Sequence, residues 1–389
     1  MSVIVFRRAL PIAACAFVAA AAVAQAQVPA NIEAQLRKIG QIVDPACTAK
    51  LYRPLMPSND YDTYWPPSAA APVLKGELYP GITIARDQSF GPNPKDLVDI
   101  FTADKGGGNR PVLIYVPGGA GNKIEQQVRE GNAFYDNIAR WATKNGMVGV
   151  LVQRHPGQNW DDGGRDISMA VDWIKDNIAK YKGDPNRMFI WAHSAGNGPL
   201  GVYVGHPERW KNGVQVKGAI FMSGNPVPTV GPRGGGAGRG AFGAAGGPQP
   251  GSACGLPPTS MTSTEGAIAG PSRFENARGG GAPGRAGFGR GGPQLTPEQQ
   301  AERDNLPGFK SAKAPRIMIA YAELDPGVSN GQMPASAVAL HDELCKVDAA
   351  HCPTMFVGKG ESHMSEVFSP DTSDRTTTDA VLKFLKSVK

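Results

Sequence analysis

Ser194 stands in the run Trp191-Ala192-His193-Ser194-Ala195-Gly196-Asn197-Gly198, with small residues two positions before and two positions after it. The apolar run Met188–Ala192 precedes it and reads as a buried strand, and a helix is expected to follow. A serine at such a junction takes a tight, strained turn that aims its hydroxyl out of the sheet end. Bulky neighbours two residues away would collide with the adjoining strand and helix. The chemistry this allows is nucleophilic attack on an acyl carbon. Glycine is usual at the first small position; Ala192 departs from it by one methyl.

A serine hydroxyl needs a base to take its proton. Of six histidines, His363 is the candidate, because it follows the last expected strand in the loop Gly358-Lys359-Gly360-Glu361-Ser362-His363. His155, at the end of the Val148–Val152 strand, is the alternative. His193 is adjacent to the serine, and its side chain is expected to diverge. A carboxylate must orient the base and stabilise its imidazolium. Asp325 is the candidate, just past the Ile317–Tyr321 strand, with Glu323 as the alternative. Backbone N–H groups for a developing oxyanion are expected from Pro117-Gly118-Gly119-Ala120-Gly121, where missing side chains permit close approach, and from Ala195 at the start of the helix.

These residues must be carried by strands that alternate with helices. Val112–Val116, Val148–Val152, Met188–Ala192, Gly218–Met222, Ile317–Tyr321 and Met355–Val357 read as buried strands. Helical patterns cover Asp166–Tyr181, Ala335–Lys346 and Thr376–Val388. That alternation predicts an α/β fold with a mostly parallel central sheet and helices on both faces. Residues 27–95 read as a Pro-rich N-terminal extension with a short helix near Ile32–Ile42, and Asp96–Phe101 as an edge strand.

The 389 residues are 41% hydrophobic and 19% charged, which excludes wholesale disorder and a collagen-like rod. Residues 1–26 read as a secretory signal: Arg7 and Arg8, an apolar run from Ala9 to Val23, then Ala24-Gln25-Ala26. The run is too short for a stable membrane span, so export to the periplasm or the exterior is expected, without membrane insertion. Cys47, Cys254, Cys345 and Cys352 then permit disulfides. A local Cys345–Cys352 bridge is preferred, and Cys47–Cys254 follows by elimination. The absence of a C-x-x-C or His-rich tract argues against a zinc site, and no cofactor is implied.

Residues 231–294 hold 21 Gly and 8 Pro in 64 positions, with six Arg against two acids. The net charge of +6 is therefore largely local to this stretch and to the leader, and is no sign of a nucleic-acid partner. A stretch of this composition buries too little apolar surface to offset its chain entropy. It is expected to interrupt the domain spanning 96–389 as a low-complexity insert, either a tolerated surface insertion or a lid. Its Arg-Gly-Gly steps resemble RNA-binding tails, but export and scarce aromatics argue against that use.

Glycine loop, Ser194 turn, acid and histidine arrive in the order of the α/β-hydrolase superfamily. The chain resembles its secreted esterases and lipases of the hormone-sensitive-lipase and feruloyl-esterase-like groups, over roughly 96–230 and 310–389. The resemblance implies an α/β-hydrolase fold with an insert at the lid position, Ser194 as nucleophile, Asp325 as acid and His363 as base. The family's His-Gly-Gly-Gly pattern falls on Pro117-Gly118-Gly119-Ala120, so Gly119 and Ala120 inherit the oxyanion role; Pro117 stands where the family has histidine. The expected reaction is hydrolysis of a small-molecule carboxylic ester through an acyl-enzyme. An amidase, peptidase or formamidase-like hydrolase with the same residues is the alternative.

Overall fold

The computed structural model describes residues 27–55, 79–118, 135–154, 160–226, 254, 306–326 and 335–388. The expected leader, all of the 231–294 insert except Cys254, and Gly119, Ala120 and His155 lie outside the described residues.

The described chain builds a sheet from β1 (Ile82–Ser89), β2 (Leu97–Ala103), β3 (Arg110–Val116), β4 (Val148–Val152), β5 (Gly183–His193), β6 (Gly218–Met222), β7 (Arg316–Leu324) and β8 (Thr354–Ser362). Their order across the sheet is β1-β2-β4-β3-β5-β6-β7-β8. β1 and β2 run antiparallel to their neighbours, and every pairing from β4 through β3 to β8 is parallel. This is the α/β-hydrolase architecture. Parallel strands put all their C-terminal ends on one edge, so Ser194, Asp325 and His363, which follow β5, β7 and β8, emerge on the same side.

Alternation along the buried strands sends successive side chains to opposite faces. Leu113, Tyr115, Trp191, Ile220 and Met318 form one core with Leu36 of α1 (Ala30–Ile39), Cys47 of α2 (Pro45–Tyr52), Ile138 of α3 (Asp136–Lys144) and Phe384 near the C-terminus. Val112, Ile114, Ile190, Ala219 and Ile317 form the other, with Ile174 of α4 (Trp160–Asn177), Tyr203 of α5 (Asn197–Gly205) and Leu344 of α6 (Ala335–Cys345). The short α7 (Ser365–Phe368) and the terminal α8 (Thr376–Ser387) complete the first layer.

Two expectations change. The segment after 96 is not an edge strand: β2 pairs on both sides, and the edge is β1. The sheet therefore begins at Ile82, inside the stretch read as an extension. β1 escapes detection because it is only half buried and carries Arg86 and Asp87 in its midst. Arg86 is held by ion pairs to Asp99 and Asp136, both fully buried.

Both expected disulfides are present. Cys47 is bonded to Cys254, with Cα atoms 5.6 Å apart, and Cys345 to Cys352. A buried polar cluster joins α2, β8, α7 and α8. Tyr52 donates to Asp374 at 2.6 Å, Thr377 donates to Glu361 at 3.0 Å, and Ser365 also donates to Glu361. Burial, with help from nearby Asp374, raises the Glu361 carboxyl from 4.5 to about 8. Between those values the folded protein holds a proton that the unfolded chain has released, so stability falls as pH rises. Buried His193, held well below 6.5 by desolvation, acts with the opposite sign only below its ordinary value.

Two measurements follow. The melting temperature should fall between pH 6.5 and 8, and Glu361→Gln should flatten that fall, by up to ~1.4 kcal/mol per pH unit. Replacing Cys47 and Cys254 together by serine should lower the unfolding free energy by about 2–4 kcal/mol in denaturant titrations.

Candidate active site

Ser194 leaves β5 in the left-handed region, at φ 51°, and opens a single tight turn, Ser194–Gly196, before α5. A non-glycine residue holds this conformation only when its surroundings impose it. Asn197 does so from the helix: its amide donates to the Ser194 carbonyl at 2.9 Å and to the Met222 carbonyl, at the end of β6, at 2.8 Å. The small residue after the serine is explained by packing. A Cβ on Gly196 would lie 2.8 Å and 2.9 Å from the carbonyl oxygens of Val116 and Pro117. The loop after β3 closes on the serine from the same side, since a Cβ on Gly118 would lie 2.7 Å from the Ser194 Cβ. Arg154, buried at the end of β4, donates from Nε to the Pro117 carbonyl at 3.0 Å and so holds the peptide that enters this loop. Burial pushes its guanidinium down to about 10, still a cation near neutral pH.

His363 sits just past β8, with its Nε2 2.9 Å from Ser194 Oγ and its Nδ1 2.7 Å from Asp325 Oδ1. Asp325 is fully buried and His363 nearly so. With Nδ1–H donating to the carboxylate, Nε2 is left as the acceptor for the serine hydroxyl. The structure thus brings Ser194, His363 and Asp325 into one hydrogen-bonded line.

The alternative acid and three of the remaining histidines are engaged elsewhere. Glu323 turns away: its Oε2 accepts the Gly360 N–H at 2.8 Å and pairs with Arg37 at 3.3 Å. Those contacts, the Gly360 N–H first, hold its carboxyl below the usual range. His206, His341 and His351 are each taken up by a nearby carboxylate, Glu208, Asp342 and Asp348. Ala195 is exposed on the turn directly after Ser194.

Three participants have no clear mark in the sequence. His193 does not diverge as expected: its ring lies 4.7 Å from that of His363, and its Nε2 donates to the His363 carbonyl at 2.9 Å. Burial holds this imidazole well below its ordinary value, hence neutral, and it fixes the backbone that carries His363. Its place directly before Ser194 was the only hint. Ser223, after β6, donates to Asp325 Oδ2 at 2.5 Å and also contacts Glu366 of α7. A lone serine past a strand gives no pattern to read, and Glu366 stands out only as an acid within one helical turn of His363. Around these groups a negative oxygen at Ser194 could form while the proton moves to His363.

Residues 97–231 match the carboxylesterase family, a span that includes Ser194 but neither Asp325 nor His363. Secreted lipase 5 of Gibberella zeae is 34% identical over 136 residues, covering 31% of this chain and 24% of the relative. Esterase-5B of Drosophila persimilis is 30% identical over 136 residues, covering 33% and 24%. The chain thus spans about a quarter of the length of these curated relatives. Among solved structures, esterase B from Lactobacillus rhamnosis is similar at 13% identity and a TM-score of 0.49, covering 92% of this chain and 95% of that one. No helix among the described residues is long and apolar enough to cross a membrane. Over residues 97–231, through the serine turn, the chain is thus similar to carboxylesterases, and its sheet has the strand order of an α/β-hydrolase fold.

Proposed function

We propose that the protein is an exported serine hydrolase that cleaves carboxylic esters of small molecules through an acyl-enzyme. One observation carries the reading: Ser194 Oγ, His363 and Asp325 are joined by contacts of 2.9 Å and 2.7 Å, with the serine at a left-handed turn. His363 takes the hydroxyl proton as Ser194 attacks the acyl carbon, and Asp325 stabilises the imidazolium. The tetrahedral oxyanion is met by the Ala195 N–H together with those of Gly119 and Ala120. Collapse expels the alcohol, which receives the proton from His363. Water, activated by the same histidine, then releases the acid. Metal and organic cofactors have no role in this scheme.

Esters are favoured over amides because the matched relatives carry the names of esterases and lipases. Export is supported by two disulfides and by the word "secreted" in a relative's name. We read the catalytic domain as the whole sheet from Ile82 onward, with 231–294 inserted between β6 and β7.

A fluorophosphonate probe should label the wild type and leave Ser194→Ala unlabelled; labelling that persists in the variant would exclude Ser194 as nucleophile. On a panel of esters and amides sharing one acyl group, turnover should be confined to the esters. Asp325→Asn should lower kcat by roughly 10⁴-fold, because the histidine then adopts the wrong tautomer. Gly118→Ala, whose Cβ would press on Ser194 Cβ and the His193 carbonyl, should lower kcat by roughly 10–100-fold and also lower the melting temperature, since overpacking costs about 1–3 kcal/mol.

A further inference from the structure

The hydroxyl of Ser223 touches two carboxyls at once. It lies 2.5 Å from Asp325 Oδ2 and within hydrogen-bonding reach of Glu366 Oε2. A hydroxyl has one hydrogen. Were both carboxyls ionised, one contact would set oxygen against oxygen with no proton between them. One carboxyl therefore holds a proton, and the surroundings decide which.

Asp325 is rich in donors. His363 Nδ1 reaches its Oδ1 at 2.7 Å, the Ala322 N–H reaches its Oδ2 at 3.0 Å, and Ser223 adds a third. With three donors aimed at its two oxygens, Asp325 serves here as the acceptor. Glu366 has Ser223 for Oε2, while its Oε1 is buried with no hydrogen-bond partner among the described residues. A stranded carboxylate oxygen costs far more than the stranded carbonyl oxygen of a neutral acid.

We propose that Glu366 is a neutral carboxylic acid whose O–H donates to Ser223, obliging Ser223 to donate to Asp325, and that Glu366 is thereby a positioning residue for the catalytic histidine. The inference rests on the reading of Ser194, His363 and Asp325 given above. Every hydrogen then has one direction: Glu366 to Ser223, Ser223 to Asp325, His363 to Asp325, and Ser194 to His363. The Asp325 carboxylate is held from both oxygens, and a second negative charge is kept off the site. The groups facing Glu366 agree. The Asp325 carboxylate opposes its ionisation, while Glu361 of β8 and Tyr115 of β3 are themselves held protonated by burial and bring it no charge. Burial is the largest cause of the rise in the Glu366 carboxyl, followed by Asp325.

The test compares the full-length wild type with Glu366→Gln and Glu366→Leu, using a short-chain ester. The wild-type minus Glu366→Gln infrared difference spectrum at pH 7 should contain the C=O stretch of a protonated carboxyl; Glu361 contributes to both proteins and cancels. The acid limb of kcat/KM, set by the base, should keep its midpoint within about 0.3 pH unit in Glu366→Gln. Glu366→Leu should lose roughly tenfold in kcat with KM nearly constant, and Glu366→Gln, which keeps a donor, should recover most of that loss. An ionised Glu366 would have raised the basicity of His363, so a downward shift of about one unit or more in Glu366→Gln would overturn the proposal. A missing infrared band, or a folded Leu variant with wild-type kcat, would overturn it equally. Should Glu366→Leu fail to fold, the band and the midpoint decide alone. If the wild type neither hydrolyses esters nor takes the fluorophosphonate, the functional reading falls, while the band still reports the Glu366 proton.

Discussion

The imidazole of His363 has to be held between a hydroxyl and a carboxylate, and the rest of the molecule is arranged around that requirement. The ring spans 2.9 Å to Ser194 and 2.7 Å to Asp325. Tolerances of a few tenths of an ångström cannot be met by mobile side chains. They are met here by four adjacent parallel strands, β5 to β8, that end on one edge. Ser194, Ser223, Asp325 and His363 each follow one of them, so the spacing of the strands sets the spacing of the groups. His193 adds a bond from the serine turn to the His363 carbonyl, which ties the first and last of these strand ends directly to each other.

Burial around that line has a cost that shows in protons. Carboxyls packed under β8 cannot all remain ionised, and Glu361 and Glu366 are both pushed upward by desolvation and by neighbouring acids. Hydroxyls of Ser223, Ser365 and Thr377 connect these acids to the backbone elements around them. The cluster is thus a packing device whose hydrogen bonds tie β8 to α7 and α8. Near the serine, the opposite need is served by Arg154, a buried cation that anchors the Pro117 peptide.

The N-terminal segment is a working part of this arrangement. α1 lies against β8, and its Arg37 pairs with Glu323, whose carboxylate also accepts the Gly360 N–H. Gly360 stands at φ 74°, and a Cβ there would press within 2.9 Å of Glu33 in α1. The turn that leads to His363 is therefore braced from a helix near the start of the described chain. The Cys47–Cys254 bond anchors α2, which shares the same apolar layer.

What residue type and spacing determined alone were the local signals. The apolar strand runs, the small residues around Ser194 and the placement of Asp325 and His363 after strands all follow from steric and burial rules that act over a few neighbours. Ser194, Asp325 and His363 could be named because each sits at a strand end that its own neighbours announce. β1 could not, because a half-buried strand carrying Arg86 and Asp87 has no apolar signature until its partners Asp99 and Asp136 are in place. Nor could the direction of His193, or the link from Asp325 through Ser223 to Glu366. A side chain's rotamer, and whether a buried acid keeps its proton, depend on groups brought close only by the folded sheet. Tertiary structure decided these because charge and hydrogen-bond energies act through space, whereas the patterns that can be read in a chain act along it.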